Sequence, residues 1–146
     1  MQTAAGLEEL FGTWRLVSWK RELLDTGETV ETFGKAPRGF LNYGHDGRVF
    51  FIMAKETRAK PEDLARLTDH ERAELYNTMV AYAGRFTFDG NTATHHVEIS
   101  LNEIWTGTAQ IRHLKFEGRR LIMSTVPQRG FDGKRVVGVF TWEKLT

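Results

Sequence analysis

Cysteine is absent from the 146-residue chain. Its absence excludes disulfide bonds, zinc sites built on thiolates and a cysteine nucleophile, and it agrees with a reducing compartment. Long apolar runs are absent as well. The first ten residues lack the basic start and apolar stretch of a signal peptide, and no segment has the length of a membrane span. The sequence therefore predicts a cytoplasmic protein with no membrane partner.

An excess of charge of one sign is also missing. The chain has 20 Lys and Arg residues against 19 Asp and Glu residues, a formal net charge of +1. A nucleic-acid-binding surface needs concentrated positive charge, so no nucleic-acid partner is predicted. The sequence has no G-x-S-x-G elbow, no Walker loop and no G-x-G-x-x-G after a strand. No cofactor is predicted.

The histidines do not form a recognisable metal motif. His95 and His96 are adjacent, so on a strand their side chains point to opposite faces and cannot both bind one metal. No other histidine or carboxylate lies at a known metal-ligand spacing. The sequence predicts no metal site, and it leaves a histidine as a plausible proton-transfer group.

What is present is a series of short segments rich in strand-forming residues and separated by turns. Hydrophobic content of 40% and charged content of 27% fit one globular domain over residues 1–146. Alternation and Gly-containing turns predict strands over nine segments: 12–23, 29–33, 40–43, 48–55, 85–88, 92–101, 108–116, 120–126 and 134–145.

The pattern changes period in the middle of the chain. Pro61 is typical of a first helical position, and Thr68 with Glu71 matches a capping box. Apolar residues then recur at helical spacing as far as Ala83, and Gly84 is the residue expected just beyond a helix. These signals predict a helix over 68–83 within a helical insertion at about 61–83.

Sequential antiparallel strands joined by tight turns favour a mainly β, up-and-down barrel of about 8–10 strands. A closed sheet removes exposed edges, and barrels of about eight strands can hold one small ligand. A two-sheet sandwich is the alternative architecture.

The stretch from Thr94 to Arg112 carries polar residues where a hairpin ordinarily buries apolar ones. With Glu98 opposite Arg112, and the next hairpin pairing Arg112 with Thr125, one face becomes a polar pocket above an apolar floor. Trp105 lies in the loop above it, and Tyr82 is placed near the barrel mouth. The predicted ligand-binding residues are His96, Glu98, Ser100, Trp105, Gln110, Arg112, Met123, Thr125 and Tyr82.

Two alternatives to this pocket stay open. A register slip of one residue would turn His95, Val97, Ile99 and Ile111 inward instead, and a bulge could reconcile the two registers. A Glu98–Arg112 pair could also be an ordinary contact on the outer surface.

The order of motifs resembles a known family. Gly12-Thr13-Trp14 is similar to the first-strand motif of lipocalins and the wider calycin group. The segments 39–47, 82–86, 95–98 and 105–112 extend the likeness to the bacterial and fungal lipocalin-like domain family. This resemblance implies a barrel with an inserted helix and an internal cavity, in which a basic side chain, here Lys144, packs across Trp14. Secreted lipocalins carry disulfides and a signal peptide. This chain has no cysteine and is expected to have no signal peptide, so the resemblance does not imply extracellular transport.

Three functions follow as hypotheses. The first is a binding protein whose lumen holds a small hydrophobic or amphipathic metabolite, with Arg112 receiving a polar or anionic group. The second is a cofactor-independent isomerase, cyclase or dehydratase, with His96 or Glu98 as acid–base and Arg112 as charge stabiliser. The third is a filled barrel with a structural or interaction role.

The outer strand faces raise the question of oligomeric state. If the polar face points inward, the apolar residues of the other face need cover from the helix or from a second subunit. A homodimer is therefore one hypothesis. The residues concerned are Val97, Ile99, Ile111, Ile122 and Val126.

Overall fold

The computed structural model describes residues 6–145, and the prediction of a mainly β antiparallel barrel is confirmed. Its strands are β1 Gly12–Leu23, β2 Thr29–Val30, β3 Arg38–Tyr43, β4 Arg48–Ala54, β5 Met79–Phe88, β6 Thr92–Ser100, β7 Ala109–Glu117, β8 Arg120–Thr125, β9 Gln128–Arg129 and β10 Arg135–Lys144. Its helices are α1 Leu7–Leu10 and α2 Asp69–Asn77, with 3₁₀ turns at Leu64–Arg66 and Glu103–Trp105. Residues 1–5, part of the stretch inspected for a signal peptide, and residue 146 lie outside the described chain.

Eight of these strands close the barrel. Their order is β1-β3-β4-β5-β6-β7-β8-β10, and β1 pairs with β10 to complete the circle. The two-residue strands β2 and β9 pair alongside β1 and β10, respectively, at one end of the barrel. Closure gives each of the eight long strands a neighbouring strand on both sides.

Glycine turns fix the register of the hairpins. The β7–β8 pairing matches the predicted register, with Arg112 opposite Thr125 and Leu114 opposite Met123. The two-residue turn between these strands places Gly118 at a φ of 62°, a conformation that such hairpin turns require.

The predicted helix begins correctly and ends too late. The capping box is present: the Glu71 N–H donates to the Thr68 hydroxyl at 3.1 Å, and the Thr68 N–H donates to the Glu71 carboxylate at 2.9 Å. However, α2 stops at Asn77, and residues 79–83, predicted as helix, belong to strand β5.

The error arises because the apolar residues of this segment fit both the spacing of a helix and the alternation of a strand. Val80, Tyr82 and Phe86 alternate inward along β5 and are buried, although Val80 also fits a helical stripe. Gly84 is a site of close strand contact and not a helix end. A Cβ on Gly84 would lie 1.9 Å from the carbonyl oxygen of His96, so this crossing of β5 and β6 tolerates only glycine.

One end of the barrel is closed by the residues that the family resemblance implied. The indole N–H of Trp14 donates to the Leu10 carbonyl at 2.9 Å. The Lys144 ammonium lies 4.5 Å from the centre of the Trp14 ring and donates to the carbonyls of Glu9 and Phe11. Lys144 thereby ties α1 and the last strand together, which leaves the opposite end for a cavity.

The outer face carries several exposed apolar side chains, among them Phe40, Phe50 and Ile99. Val97, predicted to lie on this face, is instead 3% exposed inside the barrel. A homodimer stays a prediction, which light scattering at micromolar concentration would check. Within residues 6–145, no helix is both long enough and apolar enough to cross a membrane.

Candidate functional site

A cavity lies inside the barrel at the end opposite Trp14. Its volume is about 40 Å³, enough for a few water molecules. Six of its fifteen lining residues are aromatic, and two are arginines. The lining includes Trp19, Arg21, Phe51, Tyr82, Trp105, Arg112, Thr125 and Phe131.

Arg112 points inward from β7 and is 4% exposed. Its guanidinium donates to the Ile111 carbonyl at 3.1 Å and to the Gln110 amide oxygen at 3.4 Å. No carboxylate of the described residues lies within 4 Å of it. Buried charges are normally paired, so Arg112 is an uncompensated cation at the cavity wall.

Behind the cavity, a histidine is held between two tyrosines. The Nε2 atom of His95 lies 2.6 Å from the Tyr43 hydroxyl, and its Nδ1 atom lies 2.6 Å from the Tyr82 hydroxyl. His95 and Tyr43 are fully buried, and Tyr82 is 5% exposed. We call these three residues the Tyr–His–Tyr relay, and only its Tyr82 end reaches the cavity.

The relay is uncharged near neutral pH. Burial lowers the pKa of His95 well below its ordinary 6.5, and the nearby charges of Arg112 and His96 lower it further. Burial raises the pKa of both tyrosines, and the charge of Arg112 opposes that rise. A neutral histidine with both nitrogens bonded must donate through one and accept through the other.

The second arginine of the cavity has a partner. Arg21 is 1% exposed, and its two terminal nitrogens donate to the Asp132 carboxylate at 2.7 and 2.8 Å. The guanidinium also lies 5.5 Å from the Trp19 ring centre and 5.4 Å from that of Phe131. The hydrogen bonds from Arg21 hold the pKa of Asp132 below its usual value. This pair fixes segment 128–133 over the cavity.

The predicted β6–β7 register is wrong. His95 pairs with Gln110 and His96 with Ala109, so the inward residues of β6 include His95 and exclude His96. The pairing of β6 with β7 ends at His96 and Ala109. The loop that joins the two strands contains a 3₁₀ turn and is longer than the predicted loop. The open alternative of a one-residue slip is right for His95 and Val97, which are buried, and wrong for Ile99 and Ile111, which are exposed.

His96 and Glu98 therefore do not face the lumen. Both are exposed on the outer surface, where Glu98 contacts Arg48 at 2.8 Å and Arg85 at 3.2 Å. Glu98 lies at an irregularity in the β5–β6 pairing, which also leaves Ile99 outside. The two acid–base residues of the enzyme hypothesis, His96 and Glu98, thus lie outside the barrel. The predicted pair of Glu98 with Arg112 does not form.

The other predicted site residues divide into three groups. Arg112, Thr125, Tyr82 and Trp105 line the cavity. Gln110 and Met123 are buried on the inner face beside it. Ser100 is half-buried at the barrel exterior, with its hydroxyl 3.4 Å from the Ala81 carbonyl. Whether the four lining residues bind a ligand stays a prediction.

Sequence reasoning missed several residues that the structure brings to the cavity. Trp19 is expected only as a core or end-plug residue, and Arg21 only as part of a strand, because a bulge after Leu16 shifts the alternation of β1. His95 and Tyr43 meet only through the barrel closure. The available signal was the hairpin carrying Phe86, which pairs directly with His95 and supports the inward orientation of His95.

The site places polar side chains among aromatic ones. In the described part of the chain, no group of three His, Cys, Asp or Glu side chains could hold a metal ion. Arg112 and Tyr82 offer hydrogen-bond donors, and neither is a strong nucleophile in its present state.

Comparison with known proteins gives one family and one relative. The family described as lipocalin-like domain matches residues 11–145. The 4'-hydroxy-3'-methoxypropiophenone carrier protein of Aspergillus oryzae is 35% identical over 86 residues, which are 53% of this chain and 78% of that protein. No solved structure gave a significant match.

Proposed function

Because the chain belongs to the lipocalin-like domain family, we propose that it binds a small, partly apolar molecule in the barrel lumen and carries it. The observation that supports this most directly is Arg112, a buried guanidinium that faces the cavity without a counter-ion. The polar group of the ligand would compensate that charge. The aromatic walls would supply most of the buried apolar area.

The related carrier suggests what the ligand is like. That protein is named for an aromatic ketone that bears a hydroxyl group. A molecule of this kind has a flat apolar ring and oxygen acceptors, which suit the rings around this cavity and the donors on Arg112 and Tyr82. We propose an aromatic oxygen compound as the ligand class.

The present cavity is smaller than such a ligand. Its 40 Å³ compares with roughly 300–1,000 Å³ for typical small-molecule sites. Segment 128–133 covers it through Phe131 and the Arg21–Asp132 pair. Ligand entry therefore requires this segment to move outward, and the proposed carrier opens at this end.

The cytoplasm is the proposed location, supported by the lack of cysteine among 146 residues. The enzyme hypothesis loses its original acid–base pair, since His96 and Glu98 lie outside the barrel. A binding role needs neither residue.

The test is a titration with 4'-hydroxy-3'-methoxypropiophenone, followed by quenching of tryptophan fluorescence and by native mass spectrometry. We expect saturable binding of one molecule per chain. Arg112→Met should weaken it at least about tenfold, because a hydrogen bond to a charged group is lost. Arg15→Met, which removes an exposed arginine from the outer face, is the matched control and should bind normally. An absence of saturable binding, or equal affinity in Arg112→Met, would contradict the proposal.

A further inference from the structure

The cavity wall is unusually rich in hydrogen-bond donors. Among the buried side-chain atoms that have no hydrogen-bond partner in the described chain, the lining residues contribute three: Trp19 Nε1, Arg21 Nε and Arg112 Nε. All three are N–H donors, and none can accept. Buried polar groups are ordinarily satisfied, so these atoms indicate a ligand group that accepts and does not donate.

The Tyr–His–Tyr relay adds a fourth donor. His95 is the one hydrogen-bond partner of the Tyr43 hydroxyl among residues 6–145. If His95 donated to Tyr43, the buried hydroxyl hydrogen of Tyr43 would have no acceptor. The satisfied arrangement has Tyr43 donating to Nε2 and Nδ1–H donating to Tyr82. The Tyr82 hydroxyl hydrogen is then free to point at the cavity, where Arg112 also lies.

A charge count of the same region gives an excess of one positive charge. Arg21 is neutralised by Asp132 at 2.7 Å. The relay is neutral because burial disfavours the charged form of each member. Arg112 remains without a carboxylate. An anion bound here would be both hydrogen-bonded and charge-compensated.

We propose that Trp19, Tyr82 and Arg112 form an oxyanion site that takes an aromatic weak acid, such as a phenol or enol, in its ionised form. The inference rests on the proposed function, since it concerns the same cavity. On binding, the O–H bond of the ligand breaks and its proton passes to bulk water. No base in the cavity receives it, because both ring nitrogens of His95 are already bonded.

The aromatic part of the ligand class follows from the walls. Phe51 stacks on Tyr82 with ring centres 4.9 Å apart and planes 3° from parallel, and Trp105 meets Tyr82 edge to face at 6.4 Å. Flat rings prefer such surroundings. In an ionised aromatic oxygen compound, the ring would pack against these aromatic side chains and the oxyanion would accept hydrogen bonds from the donors.

The experiment uses 4-nitrophenol and its methyl ether, 4-nitroanisole. Only the phenolate of 4-nitrophenol absorbs strongly in the visible, so absorbance reports the ionised fraction, while tryptophan quenching reports binding of either compound. At a pH where free 4-nitrophenol is mostly neutral, the protein should increase visible absorbance. The bound phenol should ionise at a pH at least one unit lower than the free phenol, equivalent to about tenfold preference for the anion.

Variants connect that preference to the named donors. Arg112→Gln should abolish the absorbance increase, and Arg112→Lys should retain part of it because the charge remains. Tyr82→Phe should reduce the preference several-fold. Arg15→Gln, on the outer face, should match the wild type.

The outcomes separate the two proposals. Binding of the ether as tightly as the phenol, with no increase in visible absorbance, would overturn the oxyanion site and leave the carrier function standing. Failure of both compounds, and of the ketone titrated above, to bind would overturn the carrier function and this inference with it. An absorbance increase that survives in Arg112→Gln would overturn the assignment to these residues.

Discussion

Two arginines at the same end of the barrel have opposite surroundings. Arg21 and Arg112 are 1% and 4% exposed, and both line one cavity. Arg21 is held by the Asp132 carboxylate through two hydrogen bonds, whereas Arg112 has only neutral oxygens beside it. From this difference we expect Arg21 to stabilise the fold, and Arg112 to lower stability while remaining available to the proposed ligand.

The largest expected effect comes from breaking the paired arginine. Arg21→Met should lower the free energy of unfolding by about 2 kcal/mol, because it removes both hydrogen bonds to the partly exposed Asp132 carboxylate. Urea unfolding measures this difference. Arg15→Met is the matched control, since its partner Glu143 is on the surface, and it should change stability little. Equal effects of the two variants would contradict a structural role for Arg21.

Lowering the pH should destabilise the protein first through His95, whose pKa is lowered by burial and by Arg112, and only later through Asp132, the partner of Arg21. The folded protein resists protonation of His95, whose pKa lies below its ordinary 6.5, whereas the unfolded chain takes the proton. Stability is therefore lost as pH falls below 6.5, by at most about 1.4 kcal/mol per pH unit. The contribution of Asp132, whose pKa is lowered from 3.8, is present above that value and is lost only below it.

Urea unfolding between pH 6.5 and about pH 4.5 tests this separation. His95→Gln should flatten the loss in that range, and Asp132→Asn should leave its slope unchanged. An equally steep loss in His95→Gln would show that the relay is not responsible.

Replacement of Arg112 should change stability in the opposite direction to replacement of Arg21. Arg112→Met should keep the stability of the ligand-free protein or raise it by about 1 kcal/mol, because a buried charge without a counter-ion is replaced by an apolar side chain. The midpoint of urea unfolding checks this. A loss of stability comparable to that of Arg21→Met would show that Arg112 is structural.

The smallest effect is expected from Glu98, which the structure places outside. Glu98→Gln should leave ligand affinity unchanged and produce no measurable change in stability, because its contacts with Arg48 and Arg85 are exposed. The same fluorescence titration and urea unfolding apply. A loss of affinity in this variant would contradict the outward orientation of β6 at this point.

The parts of the fold that are set locally could be predicted from the sequence. The register of β7 with β8 depends on a two-residue glycine turn, and the start of α2 depends on Thr68 and Glu71. In both cases the determining residues are a few positions apart, so their geometry is visible in the chain itself. The barrel class and the family followed from a series of such local signals.

The parts that depend on distant strands could not be predicted. A 3₁₀ turn and an irregularity at Glu98 changed the face of β6, and one residue of shift reverses every side chain. His95 meets Tyr43 across the lumen, 52 positions away. Arg112 and Trp105 line the cavity, although the slipped register would have turned Ile111 inward and Arg112 outward. That they bind a ligand stays a prediction.

The pairing of β1 with β10 also determines how the chain must fold. Arg21 and Asp132 are separated by 111 positions, and closing a loop of that length costs about 4 kcal/mol of chain entropy before any contact across it forms. The hairpins can form one after another, whereas the pairing of β1 with β10 requires nearly the whole chain. Refolding is thus expected to be slow for a chain of this size, because it is limited by the formation of this pairing. Until then β1 and β10 are open edges able to pair with other molecules.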